Sequence, residues 1–419
     1  MIKLQEHEKR KLPEYKELIL RKYVQFGETN GKQLKNIAFL GLDYHFRSDE
    51  FQAGYYVGID WIDKEKDIQL MVRPKNDSVD FQTMFMHCFT SNLPNNNLEN
   101  IFYIRTDDKL VKVPANVFQL TPLLLIYFLS LVRNIVLTGL RRDYVFREEN
   151  LSAKIKGKIL LSKYAKCDVA QNRIDKAFCR YQEYDIDCLD NRILKKALLV
   201  VNRFLNENRG VMRNHCERLR EVYDYCMPAF EKVSSEVSIQ ELKSRKASPL
   251  YRQYIDALRI AKMIILKQSY WLDQNEDSSE QYFPPFIINM PLLFELYAFS
   301  MLKERYGDKI RYHEINSYGN ELDFSKKDEN LIIDAKYIFE WSDKVNHHNI
   351  RQLSGYARNK SIRGKLEIPY EHYICPCLII YPDENGCETD SLSDVLFDSG
   401  ADIETYLKFK RLGLKLPKV

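Results

Sequence analysis

Apolar and polar residues alternate along Tyr55–Ile62 and again along Ile68–Val72, on either side of the polar Asp63-Lys64-Glu65-Lys66. That period of two predicts a hairpin, and the first hundred or so residues read as mixed and strand-rich. A polar stretch from Ser91 to Asn100, with Pro94 and three consecutive asparagines, predicts a loop. The pattern then becomes helical from about Pro122 to Thr138, with the proline in the first turn. In Ile155-Lys156-Gly157-Lys158-Ile159 the central glycine suits a bend or a close backbone approach. From Asp190, read as an N-cap, an amphipathic helix begins, and helical periodicity runs on to about Leu266. The acidic stretch Asp273–Glu280 reads as an exposed loop. Beyond it, Asn289-Met290-Pro291 marks a helix start. The short segment Glu321–Phe324 and the apolar run Leu331–Phe339 flank the turn-forming Ser325–Asn330, which predicts a second hairpin. Ile350–Ala357 has helical periodicity, and Cys375–Tyr381 reads as a core strand.

With 419 residues the chain exceeds one typical domain, and its net charge of +4 places any nucleic-acid role on local basic clusters. Two such clusters stand out: Arg358, Lys360, Arg363 and Lys365, as DNA-binding residues, and Lys408, Lys410, Arg411, Lys415 and Lys418, read as a solvated face. The nine cysteines are scattered, odd in number and form no CxxC pair, which argues against a disulfide framework or a structural zinc site. The N-terminus is polar from the start, and the most apolar run, from Leu123 to Val132, meets Arg133 before reaching the roughly 20 residues of a membrane span. These features predict a soluble, cytoplasmic protein without a membrane segment. No GxxxxGK[ST] loop is present, so no nucleoside triphosphate site is expected.

The chemistry concentrates in the second hairpin. In a strand, Asp334 and Lys336 share a face, while Ile333, Ala335 and Tyr337 pack behind them. Asp323 lies on the preceding strand, so the hairpin gathers two carboxylates and an ammonium at the sheet edge. Such carboxylates repel unless a cation lies between them, and Mg²⁺ takes one or two carboxylates together with water and substrate phosphate. Glu295 shares a helical face with Leu292 and Phe299 and is expected to be partly buried. A buried carboxylate needs a partner, which on a purely structural reading is a nearby arginine or the backbone. Gln352 and Tyr356, four apart, share a face of their helix.

The Asp323 and Asp334-Ala335-Lys336 arrangement resembles the PD-(D/E)xK nucleases, although Leu322 stands where that name has proline. Gln352 and Tyr356 resemble the QxxxY motif of RecB-like nucleases. The wider order of signals resembles the McrC family: GLRRDY at 139–144, IKGKI at 155–159, NRILK at 191–195, LLFELY at 292–297, ELDF at 321–324, IIDAKY at 332–337, QLSGY at 352–356 and LIIYP at 378–382. The resemblance covers roughly residues 120 to 385.

It implies an α+β to α/β chain, with a strand-rich N-terminal region followed by a helical segment and a PD-(D/E)xK restriction-endonuclease-like core. Residues 1–165 would dock a GTPase, and 166–419 would hold the helical segment and the nuclease, with catalytic elements at 290–385. The implied activity is Mg²⁺-dependent cutting of modified, methylated double-stranded DNA in an antiviral restriction system, with a McrB-like AAA+ GTPase hexamer as partner. Asp323, Asp334, the Ala335 carbonyl and Glu295 would hold metal. Lys336 would orient or help deprotonate water, and Gln352 and Tyr356 would hold the site or contact phosphate. One site per chain implies dimerisation for cutting both strands. Two rival readings stand: a standalone RecB-like nuclease in repair or defence, and a chain that chiefly activates or bridges a GTPase without cutting.

Overall fold

The computed structural model describes residues 1–26, 41–76, 78–90, 100–105, 108–114, 120–207, 216–245, 251–272, 280–315, 321–339, 341, 347–368 and 373–418. The loops expected at 91–100 and 273–280 lie almost wholly outside these residues. The chain is a mixed α/β protein that divides into two units, one made of residues 1–123 and 278–419, the other of 124–277.

Two sheets of the first unit position the residues singled out by the sequence. A five-stranded sheet runs in the order Ile2–Gln5, Ile68–Arg73, Tyr56–Asp63, Phe286–Asn289, Phe102–Ile104. Its central hairpin is the one that the alternation at 55–72 predicts. The strand Phe286–Asn289, late in the sequence, pairs with both Tyr56–Asp63 and Phe102–Ile104. Asn289 then caps the helix Met290–Tyr306, accepting a hydrogen bond from Leu292 N at 3.2 Å with Pro291 in the first turn, as the sequence predicts.

A six-stranded sheet follows in the order Ile310–Ile315, Glu321–Lys326, Leu331–Ala335, Cys377–Cys387, Phe409–Leu414, Ala401–Asp402. The first three strands are antiparallel; Leu331–Ala335 pairs parallel with Cys377–Cys387, and that strand parallel with Phe409–Leu414. Parallel pairing needs cover on both faces. Ile332, Cys377 and Ile379 pack against Ile350 and Leu353 of the helix His347–Ala357, while Phe324 packs against Phe299 of the helix Met290–Tyr306, ring centres 5.6 Å apart. The predicted turn is shorter than expected. Ser325 and Lys326 belong to the strand and are buried, and the reversal is made by Lys327–Glu329 with Asn330 at φ 52°. Lys326 is neutralised there by Asp328 and Glu329.

The second unit contains the helices Leu189–Glu207, Cys216–Cys226 and Arg252–Leu272, most of Leu120–Thr138, and a three-stranded sheet in the order Lys158–Ile159, Lys176–Asp185, Asp143–Ser152. Asp190 is not an N-cap. It sits inside the first helical turn, fully buried, where its carboxylate takes the guanidiniums of Arg141 and Arg245. Next to it Asn191 donates to Arg141 O at 2.8 Å and accepts from the buried Tyr254 hydroxyl at 2.8 Å. A buried charge needs this kind of pairing, and it ties segment 139–143 to two helices.

The sequence-based division at 165/166 does not match these units. It falls inside the second one, between strands 143–152 and 176–185, which pair along ten residues. Long-range strand pairing overrides sequence order here: residues 286–289 complete a sheet begun at residue 2.

Gly157 has φ +71°, and a Cβ there would lie 2.5 Å from Arg180 O and 2.7 Å from Tyr181 Cβ. Gly157→Ala should therefore cost more than about 1 kcal/mol, read as a lowered melting temperature of the full chain. An unchanged melt would contradict the close approach.

Candidate active site

Three sequence-predicted residues meet at the C-terminal end of the interior strand Leu331–Ala335, not at the lateral edge of the sheet. Antiparallel pairing to Glu321–Lys326 brings Asp323 alongside, and Asp323 Oδ2 accepts a hydrogen bond from Ala335 N at 2.8 Å. Lys336 has left the strand ladder by one residue, but its N–H still bonds Ile380 O at 2.8 Å, which fixes the turn-off point of the main chain. The i, i+2 geometry then sets Lys336 Nζ 2.8 Å from Asp334 Oδ2.

Burial differs from the expectation of solvent-facing groups. Asp334 is only 1% exposed, Asp323 is half-buried, and the Lys336 side chain is 23% exposed. Asp334 Oδ2 is held by the Lys336 ammonium as an ion pair, and among the described residues no other protein donor is bonded to it. Burial pushes the Asp323 carboxyl well above the usual range, and the neighbouring charges of Asp334 and Glu295 push the same way. Burial also raises Asp334, against the pull of Lys336, and the two aspartates are close enough to hydrogen-bond when one is protonated. Burial works against charge on Lys336, yet the carboxylates of Asp334 and Asp323 outweigh it and hold the ammonium above its ordinary value. The site therefore keeps its ammonium firmly while its two carboxylates bind protons more tightly than free ones.

Glu295, on the helix Met290–Tyr306, is partly buried as expected, and Oε1 accepts from Tyr312 OH at 2.8 Å and lies 3.0 Å from His313 Nε2. Its charge reaches Asp323, Asp334 and Lys336. Tyr312 and His313 escape sequence reasoning. His313 has φ +52° and forms no ladder pair with the opposing Asp323, although the register is unshifted on either side, with Tyr312 opposite Phe324 and Glu314 opposite Leu322. The positive φ re-aims the side chain, whose Nε2 lies beside Glu295, and no residue pattern announces it. Gln352 Nε2 donates to Tyr356 OH at 3.3 Å, confirming their shared helical face; neither hydrogen-bonds Asp323, Asp334 or Lys336.

Among the described residues no group of three or more His, Cys, Asp or Glu side chains is gathered around a metal position. Two carboxylates suffice for Mg²⁺ when water and phosphate complete the shell. The donor set fits: two neighbouring carboxylates of raised proton affinity, with a single ammonium to offset them, are what a hard divalent cation takes in place of protons.

The basic clusters separate. Arg358, Lys360 and Lys365 are exposed, whereas Arg363 donates to Ala357 O at 3.1 Å and helps close the helix His347–Ala357. In the tail, Lys415 pairs with Glu388 and Lys418 with Glu384. The cysteines whose side chains are described are unbridged, with buried Cys375 just before the strand that buried Cys377 begins. No helix among the described residues is long and apolar enough to cross a membrane.

A family model described as "McrBC 5-methylcytosine restriction system component" matches residues 51–359, well over half of the chain. The chain belongs to the McrBC family. No curated protein matches it. Among solved structures it resembles a chain of the refined half-complex from the tetradecameric assembly of Thermococcus gammatolerans McrB AAA+ hexamers with bound McrC, at 16% identity and TM-score 0.37, covering 99% of this chain and 94% of that one. It also resembles a chain of the cryo-EM structure of the Thermococcus gammatolerans McrBC complex, at 17% identity and TM-score 0.30, covering 74% of this chain and 89% of that one. These likenesses are too loose to transfer geometry to the McrBC family member described above.

The raised Asp323 carboxyl has a consequence for stability. The folded chain binds this proton more tightly than the unfolded one, whose carboxyl titrates near 3.8, so the contribution is full below that pH and is lost as pH rises through the folded value. Asp323→Asn keeps an oxygen for Ala335 N and leaves Asp334 to pair with Lys336. The variant should melt above the parent at about pH 8, with the gain vanishing below about pH 4. Melting curves across that range check it; a variant less stable at every pH would refute the repulsion.

Proposed function

We propose that the chain is a Mg²⁺-dependent DNA endonuclease of a GTP-driven, modification-dependent restriction system, with a PD-(D/E)xK core formed by the six-stranded sheet and its two flanking helices. The observation that carries this reading is the pairing of the buried Asp334 with Asp323 and Lys336 at one strand end. A bound Mg²⁺ would supply Lewis-acid activation of water and of the scissile phosphate. Asp323, Asp334 and the Ala335 carbonyl would hold it. Lys336 orients the attacking water and offsets the charge that develops on the phosphoryl oxygens. Glu295 acts through its charge, held in place by Tyr312 and His313, and Gln352 with Tyr356 supports the helix beside the site. Arg358, Lys360 and Lys365 are the phosphate contacts of this reading.

Family membership supports a partner. We infer that a McrB-like AAA+ GTPase docks on the N-terminal part, up to about residue 165, and that two chains meet to cut both strands of modified duplex DNA. The ribbon Asp143–Ser152 exposes Tyr144 and Phe146, at 66% and 60%, an apolar face of the kind that binding surfaces carry.

Asp334→Ala, Asp323→Ala and Lys336→Ala should each reduce cleavage of methylated DNA by at least about 100-fold. Each should leave partner GTP hydrolysis unchanged, and calorimetric Mg²⁺ binding should disappear in the two aspartate variants. Full cleavage by Asp334→Ala would end the nuclease assignment. Glu295→Gln keeps both hydrogen bonds and loses the charge, so the rate should fall about tenfold or more while the melting temperature holds. The reverse result would make Glu295 structural. Replacing Tyr144 and Phe146 together by serine should lower stimulation of the GTPase without changing cutting-site Mg²⁺ affinity; full stimulation would remove the ribbon from the docking surface.

A further inference from the structure

Beyond the strand Leu331–Ala335 the chain continues through Lys336 to Phe339, and the parallel neighbour of that strand runs past Ile380 into Tyr381 and Asp383. Between these continuations lies a cavity of 710 Å³ that Lys75 and Arg411 also line. On the strand Cys377–Cys387 its lining begins at Tyr381, one residue beyond the Ile380 O that accepts from Lys336 N, and it includes no residue of the carboxylate site. Its volume is within the range of small-ligand sites.

The lining has a definite chemistry. Trp341 and Tyr381 stand 5.4 Å apart between ring centres at 33°, too close to admit a third ring between them, so a planar ligand would lie against the pair from the cavity side. Phe339 adds a third half-buried ring, and Lys75 Nζ stands 5.9 Å from its centre. The acidic wall residues are already engaged. Asp383 accepts from Asn385 N at 3.0 Å and from the Tyr381 hydroxyl at 3.4 Å, while Glu384 accepts from Asn76 Nδ2 at 3.0 Å and faces Lys418 at 3.8 Å. Aromatic faces beside cations, opening onto a strand end that carries a phosphodiester-directed site, match one kind of occupant: a nucleotide whose base is out of a helix.

We propose that this cavity binds one unpaired nucleotide of a DNA strand, its base stacked on the Trp341–Tyr381 pair and its phosphate against Lys75 and Arg411. The neighbouring phosphodiester then lies toward Asp334 and Lys336. The placement beside a scissile phosphate rests on the nuclease reading; the binding itself does not.

The test uses the full chain in EDTA, with a short single-stranded oligodeoxynucleotide carrying 2-aminopurine, read by anisotropy and by quenching of the probe on stacking. Trp341→Ala should weaken binding by about tenfold and abolish the quenching, and Trp341→Phe should restore most of both. Lys75→Ala and Arg411→Ala should each flatten the salt dependence by about 0.7 in log–log slope. Blunt duplex DNA should fail to displace the oligonucleotide from the quenched state. If Trp341→Ala is poorly folded by its melting curve, Trp341→Phe and Lys75→Ala decide the matter. Binding and quenching equal to the parent in these variants, or displacement by blunt duplex as effective as by single strand, would overturn the proposal. Cleavage of methylated DNA with Mg²⁺, measured in parallel, separates the readings. Parent-like binding and quenching in the pocket variants with intact cutting by the parent chain refutes the nucleotide pocket alone, and variant-sensitive stacking with no cutting by the parent chain refutes the nuclease alone.

Discussion

Two carboxylates held close together at the end of a buried strand are the constraint around which the first unit is arranged. Water would separate and solvate them; here the main chain forbids separation, because Ala335 N grips Asp323 and the ladder to Cys377–Cys387 fixes Asp334 from the other side. A parallel pair survives only with both faces covered, so the same ladder that aims the carboxylates demands a helix above and below. One of these helices brings Glu295, a third negative charge, within electrostatic reach. Lys336 offsets part of this excess. The remainder is visible as carboxyls that hold protons too tightly, an arrangement costly to an empty fold and suited to a cation.

The parts legible in sequence were those governed by short-range periodicity. The hairpins, the helix start at Asn289-Met290-Pro291 and the common face of Asp334 and Lys336 follow from residue spacing alone, and the structure has them. The parts that were not legible depend on partners far away in sequence. Asp334 looks like a surface residue until strand Cys377–Cys387 covers it. Asp190 looks like a cap until Arg141 and Arg245 converge on it. His313 departs from its strand through a positive φ that asparagine or glycine would have advertised and histidine does not. Ser325 and Lys326 look like turn residues because they are polar, and they extend the strand because Asp328 and Glu329 neutralise the lysine in place.

The same distinction explains the domain boundary. Composition changes along the chain, but compactness follows pairing, and the last strand of the N-terminal sheet is supplied by residues 286–289. The two-stranded pairing of Val111–Pro114 with Glu280–Phe283 brings the outgoing and returning chain side by side. Residues 124–277 are thus an insertion between adjacent ends, the geometry that lets a unit be added without disturbing the sheet that receives it.

This topology also joins the N-terminal strands to the site itself. The strand Phe286–Asn289 ends at the residue that caps the Glu295 helix, so the register of the five-stranded sheet sets where that helix begins. From the opposite end of the sequence, Glu6 is buried against the segment that follows the strand Leu331–Ala335: its Oε2 accepts from Lys75 N at 2.8 Å and from the Tyr337 hydroxyl at 3.2 Å, and burial raises its carboxyl to about 7. Tyr337 follows Lys336 directly and also packs against Phe294, the neighbour of Glu295. The sheet at the start of the chain is therefore bonded to both elements that carry the carboxylate cluster, one through a helix cap and one through a buried hydrogen bond. A force applied to that sheet meets stiff, hydrogen-bonded connections, not a linker, on its way to Asp334 and Glu295.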